Sequence, residues 1–533
     1  MRHKFINLTL LLVLSTLIVS GCAPAMVAPT PAPTPASGDA VEPPDPIRAR
    51  DAALTYLAGA YGERAPAPGL TWKEERTTPE GLVGSSSFQY TAGDWAVTVS
   101  FPLVAPEATI YQVAVTHEAS GFQWEGEVNA KAQVKEIAGP GGPRQTSPEV
   151  SEANLAELVK GNSAFAFDLY QLLKQEGDNQ FYSPYSISLA LAMTYAGARG
   201  ETEQQMADTL HFLLAQEGLH PAFNALDLEL ASRGEGAEGK DGQGFRLNIV
   251  NAIWGQEGYT FLSEFLDLLT RNYDAGLRRL DFENATEKAR VTINDWVSEQ
   301  TEGRIEDLIP QGVIDPSTAL VLTNAIYFNA AWARPFEPRL TEDGTFHLLD
   351  GGEVTVPMMR QTESYAYVQG EGYQAVELPY DGGQISMTVL LPESGNFETF
   401  ESSLDAEQVD AILKASAQKR VALTMPKFEF ESSFMLKEAL SAMGMPVAFG
   451  GGADFSGMTG SRELFIDAVI HKAFVSTDEA GTEAAAATAV VMEKLGIPEE
   501  PIEFTVDRPF IFLIRDIETG AVLFVGRVID PSL

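Results

Sequence analysis

The chain has 533 residues with a formal net charge of −38, 45% hydrophobic and 21% charged residues, and a single cysteine. That length allows a large folded domain with something added, and the acidity argues against nucleic acid and anionic membrane faces as partners. One cysteine excludes any internal disulfide.

The first segment, "MRHKFINLTLLLVLSTLIVSGCAPA", opens with Arg2, His3 and Lys4, continues with an apolar core from Phe5 to Val19, and closes on Val19-Ser20-Gly21-Cys22. Basic start, short apolar core and small residues are the plan of a secretory signal peptide, too short to span a bilayer comfortably. Its ending resembles a bacterial lipobox, which implies acylation of Cys22 as the mature N-terminus and a lipid anchor on the outer side of the cell membrane. Residues 1–22 are therefore read as a lipoprotein signal. The Pro/Ala-rich run 23–46 follows as an extended tether that cannot bury a core.

From 47 to 137 the texture changes. "IRARDAALTYLAGAYG" has helical spacing, and "GLTWKEERT", "SSSFQYTA", "WAVTVSF", "TIYQVAVTH" and "FQWEGEVNAK" read as strands. A small α+β domain is expected, with Trp72, Trp95 and Trp124 in its core and no recognisable chemistry. "AGPGGPRQTSPE" (138–149) has the Gly/Pro content of a linker. Residues 150–533 have no comparable break. Amphipathic stretches such as "EANLAELVKGNSAFAFDLYQLLKQ" alternate with apolar strands such as "ISMTVLLP" and "PFIFLIRD", so one large α+β domain is expected.

Enzymatic signatures are absent from the sequence. None of the six histidines has metal-ligand spacing, and the HExxH, CxxC and G-x-S-x-G patterns are missing. The Gly-rich "FGGGADFSGMTG" lacks the Lys and Ser/Thr of a phosphate loop and reads as a turn. No enzyme, cofactor or metal is expected.

"NQFYSPYSISLALAMTYAGARGETEQQM", "INDWVSEQTEGRIEDLIP", "LVLTNAIYFNAAWARPF", "GTEAAAATAVV" and "FTVDRPFIFLIRDIETGAVLFVGRVIDP" follow one another across residues 150–533. In this order they resemble the serpins, a family of suicide-substrate inhibitors of serine proteases. The resemblance implies the serpin fold, three β-sheets with about eight to nine helices and an exposed reactive-centre loop, preceded here by the small α+β domain. It implies a polar shutter cluster at Ser183, Ser186, Asn324 and His471, a tryptophan where insertion begins at Trp332, and a loop hinge at Gly481, Thr482, Glu483, Ala484, Ala485, Ala486, Ala487 and Thr488. Counting from the hinge glycine, the reactive bond falls at Leu495-Gly496, which would suit a chymotrypsin-like, elastase-like or subtilisin-like protease. A cut one residue earlier, after Lys494, would suit a trypsin-like one. Papain-like cysteine proteases are a further target class, and a monomer is expected. Alternatives are a non-inhibitory serpin acting as a binding or chaperone-like surface protein, or a surface-binding function carried by the first domain.

The residues of the hinge support a moving strand. Strand alternation sends Thr482, Ala484, Ala486, Thr488, Val490 and Met492 to one face, and the first four of these are short. The acidic "GIPEEPIE" after the cut reads as an exposed loop that avoids strand pairing.

Overall fold

The computed structural model describes residues 45–61, 65–77, 85–102, 110–117, 122–129, 131–138, 144–174, 178–233, 246–273, 277–482 and 500–533. Cys22 and the tether lie outside them, as do Glu483 to Thr488, Lys494, Leu495 and Gly496.

Near the N-terminus, helix α1 (Pro46–Tyr61) lies against an antiparallel meander of six strands, β1 (Lys73–Thr77), β2 (Ser85–Ala92), β3 (Trp95–Pro102), β4 (Tyr111–His117), β5 (Phe122–Val128) and β6 (Val134–Ala138). Alternation decides the inward face: Val97 and Val99 on β3, Tyr111, Val113 and Val115 on β4, and Trp124 and Val128 on β5 are buried with Ala53 and Leu57 of α1. Trp72 and Trp95 are partly buried against the same core.

This region is not isolated from the larger one, and Pro44–Leu533 forms one compact unit. The described part of the 138–149 segment is held down: Arg144 pairs with Asp227 at 2.6 Å and donates to Asn224 Oδ1 at 2.7 Å, while the Gln145 amide donates to the Arg271 carbonyl.

The larger region begins with α2 (Glu152–Leu173), capped by Ser151, whose hydroxyl accepts from the Asn154 amide. After the short strand β7 (Gln180–Tyr182) comes α3 (Pro184–Tyr195), capped by Ser183 with Pro184 in its first turn, and every one of its residues is buried. Helices α4 (Gly200–Thr209) and α5 (Gln216–Ala231) lead to β8 (Arg246–Gln256), α6 (Ser263–Tyr273), β9 (Leu277–Leu280), α7 (Phe282–Gln300) and β10 (Leu320–Ala331). There follow β11 (Glu342–His347), β12 (Glu353–Gly370), β13 (Tyr373–Pro379), β14 (Ile385–Pro392), α8 (Phe397–Ser403), α9 (Ala406–Ala415), β15 (Ala417–Pro426), β16 (Phe428–Met435), α10 (Lys437–Met443), α11 (Ser456–Thr459), β17 (Ala468–Asp478) and the two-residue strand β18 (Gly481–Thr482). The chain closes with β19 (Ile502–Thr505), β20 (Phe510–Asp516) and β21 (Val522–Val528).

These strands form two sheets. One has nine strands, β19-β15-β12-β13-β14-β20-β21-β7, with β11 added on β12. The 18-residue β12 joins what the resemblance treats as two smaller sheets, because it pairs with β11, β13 and β15 along its length. Its central strands β14 and β21 are buried at every position, which explains their mostly apolar sequences, interrupted by Ser386 and Thr388 in β14 and Arg527 in β21. The other is a six-stranded sheet in the order β16-β17-β18-β10-β8-β9. Helix α3 packs under one face of it. Helix α7 and the segment after it cover the other through Ile293, Val297, Ile305, Leu308 and Ile309, packed on Val321, Ala325, Ala468 and Ile470.

Candidate functional site: a central seam with a strand entering it

Strands β10 and β17 run parallel and pair from Val321↔Ala468 to Ile326↔Ala473, whereas β10 pairs antiparallel with β8 over ten residues. Beyond Ala473 the two central strands part, and β18 fills the gap. Thr482 pairs with Ala330 and Thr477, and Gly481 with Ala331 and Asp478, antiparallel to both neighbours. The sheet thus holds a parallel seam at one end and, at the other, the two-residue strand β18 of opposite sense between the same neighbours. Antiparallel pairing is slightly more stable per residue than parallel pairing. Lengthening β18 along the seam would exchange one parallel ladder for two antiparallel ones.

At mid-seam the structure brings together Ser183, Ser186, Asn324 and His471, all fully buried. Asn324 and His471 face each other across the seam as register partners. The Ser183 amide donates to His471 Nε2 at 3.1 Å, so Nε2 is the unprotonated nitrogen and Nδ1–H donates to Asn324 Oδ1. The Asn324 amide nitrogen donates to Ser186 Oγ and to Asn251 Oδ1. The Ser186 amide in turn donates to the Ser183 hydroxyl at 3.1 Å. Burying these groups is tolerable because they satisfy one another. Any strand advancing between β10 and β17 must pull Asn324 away from His471.

Asn251 was not singled out from the sequence, although it is the register partner of Asn324 on β8 and completes the polar row. Its signal was an asparagine flanked by the apolar pairs Ile249-Val250 and Ala252-Ile253. Burial holds the His471 imidazole far below its ordinary value, at about 3, and does the same to His220 of α5, whose ring meets the Tyr273 hydroxyl.

The mouth of the seam is aromatic. Trp332 stacks on Tyr380 with centroids 4.6 Å apart and meets Phe336 edge-on, while Phe328 approaches Tyr380 at 5.1 Å. Trp332 grips the turn that leads into β18: its amide donates to the Ala480 carbonyl at 2.8 Å and its indole nitrogen to the Asp478 carbonyl at 3.0 Å. Tyr380 shares a hydrogen bond of 2.8 Å with the Thr482 hydroxyl, and burial raises its own pKa strongly, so the phenol stays neutral. Tyr380 was not singled out from the sequence; it directly follows β13, before the Gly-containing "DGG".

Outside the mouth, Glu479 pairs with Lys427 at 2.9 Å and accepts from the Thr341 hydroxyl at 2.8 Å. Burial works against the Glu479 carboxylate, but these partners outweigh it and hold its pKa below the ordinary value. Ala480 is buried, and Gly481 allows no side chain at all. A Cβ there would lie 2.1 Å from the Ala330 carbonyl oxygen and 2.7 Å from the Ala331 Cα, both rigid backbone atoms.

The outer face of the seam is closed by the segment after α7, pinned where Asn294 exchanges two hydrogen bonds with the Ile309 backbone and Arg290 donates to the Ile309 carbonyl. Lys472 of β17 reaches it through the Glu306 carbonyl at 2.8 Å. Among the described residues no cluster of His, Cys, Asp or Glu could hold a metal ion, and no helix is long and apolar enough to cross a membrane.

A family model described as "Serpin (serine protease inhibitor)" matches residues 160–531. An uncharacterized serpin-like protein of Thermococcus kodakarensis is 41% identical over 386 residues, covering 72% of this chain and 88% of that one. Leukocyte elastase inhibitor A of Rattus norvegicus is 40% identical over 390 residues, covering 71% of this chain and 100% of its own. Among solved structures, human thyroxine-binding globulin superposes with a TM-score of 0.64 at 31% identity, covering 71% of this chain and 99% of that one. The thermophilic serpin tengpin in its native state superposes at 0.63 with 29% identity, covering 70% and 94%. The chain belongs to the serpin family and has its fold, and its affiliation is with protease inhibitors rather than with catalytic enzymes.

Two outcomes are expected from this geometry. A buried histidine held neutral adds stability that is complete above its unfolded value near 6.5 and is lost as pH falls below it, by about 1.4 kcal/mol per pH unit for each histidine. His471→Gln should therefore reduce the slope of unfolding free energy against pH between 6.5 and 5 by about that amount, measured by denaturant titration; an unchanged slope would contradict the assigned protonation. Gly481→Ala should expel Gly481 and Thr482 from the sheet, seen as loss of amide-exchange protection at both positions. Retained protection would contradict the steric argument.

Proposed function

We propose that this serpin is a suicide-substrate inhibitor of serine proteases that traps its target by inserting its own cleaved loop into the central sheet. The observation that carries this reading is β18, already lodged antiparallel between β10 and β17 at the open end of their seam. Cleavage at Leu495-Gly496 would free the loop to continue that strand. Roughly a dozen new ladder hydrogen bonds at about 1 kcal/mol each put the driving force on the order of ten kcal/mol before any apolar burial. About 14 inserted residues at about 3.3 Å each would carry an attached protease some 45 Å. Such a native state is held by a kinetic barrier rather than by equilibrium stability.

Thr482 is already buried, with 1% of its surface exposed, and Ala484, Ala486 and Thr488 continue its alternation with small side chains. Non-inhibitory relatives tend to carry Pro or charged residues at such hinge positions. Leu495 suits apolar primary pockets of the chymotrypsin, elastase and subtilisin types, and the relative named leukocyte elastase inhibitor fits that choice. Papain-like cysteine proteases are a further class of target. Acylation of Cys22 would place the inhibitor on the outer side of the cell membrane, held off the surface by the 23–46 tether.

The full chain incubated with chymotrypsin, subtilisin, elastase or trypsin should give an SDS-stable species of the summed masses and release a C-terminal fragment beginning at Gly496. A fragment beginning at Leu495 would move the reactive residue to Lys494, and cleavage with no stable complex for any protease would sink the inhibitor reading. Thr482→Arg should abolish the complex while leaving cleavage intact, because a guanidinium cannot replace a buried hydroxyl against Tyr380 without several kcal/mol of cost. Cys22→Ser should shift the protein from the membrane fraction of its host to the soluble fraction; retention on the membrane would refute the lipid anchor.

A further inference from the structure

The small N-terminal region meets the six-stranded sheet at its outermost strand. Helix α1, which packs on its own small sheet, also touches β9, and the two cores run together as one apolar cluster. Two helix ends are satisfied across this boundary. An α-helix leaves its last four carbonyls without partners of its own. The last turn of α1, Ala58 to Tyr61, has no basic side chain. The Arg279 guanidinium of β9 supplies one, donating to the Ala58 carbonyl at 3.2 Å and to the Tyr259 carbonyl at 3.4 Å. In the other direction, the strap that leaves the small region reaches the last turn of α6, where the Gln145 amide donates to the Arg271 carbonyl at 2.9 Å. Asn224 of α5 is fully buried and depends on this strap, accepting from Arg144 Nε at 2.7 Å and donating to the Gln145 carbonyl at 2.7 Å. Arg144 also pairs with Asp227 at 2.6 Å, and Asp227 accepts from the Tyr185 hydroxyl of α3 at 3.3 Å.

We propose that the small N-terminal region is a brace: it holds α6 and β9 against the body of the molecule and thereby slows entry of a strand at the β10–β17 seam. In the order of the sheet, β9 closes the flank β10-β8-β9, and α6 immediately precedes β9 in the chain. Opening the seam by one strand moves that flank about 4.8 Å away from β17. The flank is gripped at β9 by α1 and at α6 by the strap, which ties α6 to α5 and, through Asp227, to α3. Helix α3 packs on β21 of the nine-stranded sheet as well as on β8 and β10. Displacing the flank therefore strains the bonds of Arg144, Gln145 and Arg279. The effect on strand entry rests on the proposed insertion mechanism; the bracing of α6 and β9 does not.

Amide exchange and inhibitor lifetime, both measured on the full chain, separate the two. Arg144→Ala and Arg279→Ala should each speed exchange of the β9 amides, Leu277 to Leu280, about tenfold, with exchange in β12 and β15 of the other sheet unchanged. Unchanged exchange at β9 in both variants, or equal acceleration throughout the molecule, would overturn the brace. Held uncleaved below its unfolding temperature, each variant should lose protease-complexing capacity about threefold faster than the parent chain, as it converts to a form more resistant to denaturant. Lys414→Ala, which removes an exposed ion pair on α9, should keep the parent rate. Loss at the parent rate in both arginine variants would overturn the control of strand entry. A parent chain that forms no protease complex counts against the insertion mechanism itself, and the exchange rates at β9 still decide the brace.

Discussion

Asn324 and His471 face each other across the centre of this molecule, at a seam where the two strands pair parallel, slightly less stably per residue than an antiparallel pair would. Two central strands of a six-stranded sheet pair parallel for only six residues, while β8 on one flank and β16 on the other pair antiparallel. What closes the seam is local: one side-chain hydrogen bond between register partners, the Ser183 amide beneath His471, and the apolar cover of α7 and its following segment. Each is strong while buried and dry, and each is lost when the strands separate. Opening the seam must break these contacts together with the six-residue parallel ladder.

The remaining parts of the site make sense as controls on that barrier. Gly481 brings the incoming strand within touching distance of Ala330 and Ala331, where no other residue fits. Trp332 and Tyr380 hold its first residues in register, one through two backbone carbonyls and the other through the Thr482 hydroxyl. Glu479, tied to Lys427 and Thr341, anchors the turn from outside. Among the described residues that strand comprises Gly481 and Thr482, held between β10 and β17.

Much of this was legible in the sequence, for physical reasons that can be named. Apolar runs such as "ISMTVLLP" announced strands buried on both faces, and the family motifs led to Ser183, Ser186, Asn324, His471 and Trp332, which the fold gathers at one seam and its mouth. Small residues after Gly481 are compatible with a strand in a closed sheet, and of them only Thr482 lies among the described residues. Asn251 and Tyr380 escaped because each acts through a partner on another strand, far along the chain. An Asn within a largely apolar strand and a Tyr beside a Gly-rich turn carry no local sign of what they touch. The hold of Arg144 on Asp227 and Asn224 was hidden for the opposite reason, since a Gly/Pro-rich stretch advertises a linker whatever its one arginine does.

The central claim is that the paired β10–β17 seam can open to admit a further strand. A crystal structure of the chain cleaved in its loop tests it through the separation of the Asn324 and His471 Cα atoms. If the seam accepts the loop, that separation should grow from about one inter-strand spacing, near 4.8 Å, to about two, near 9.6 Å, with a strand made of the former loop lying between them. Cleaved protein in which Asn324 and His471 remain adjacent register partners would contradict the account.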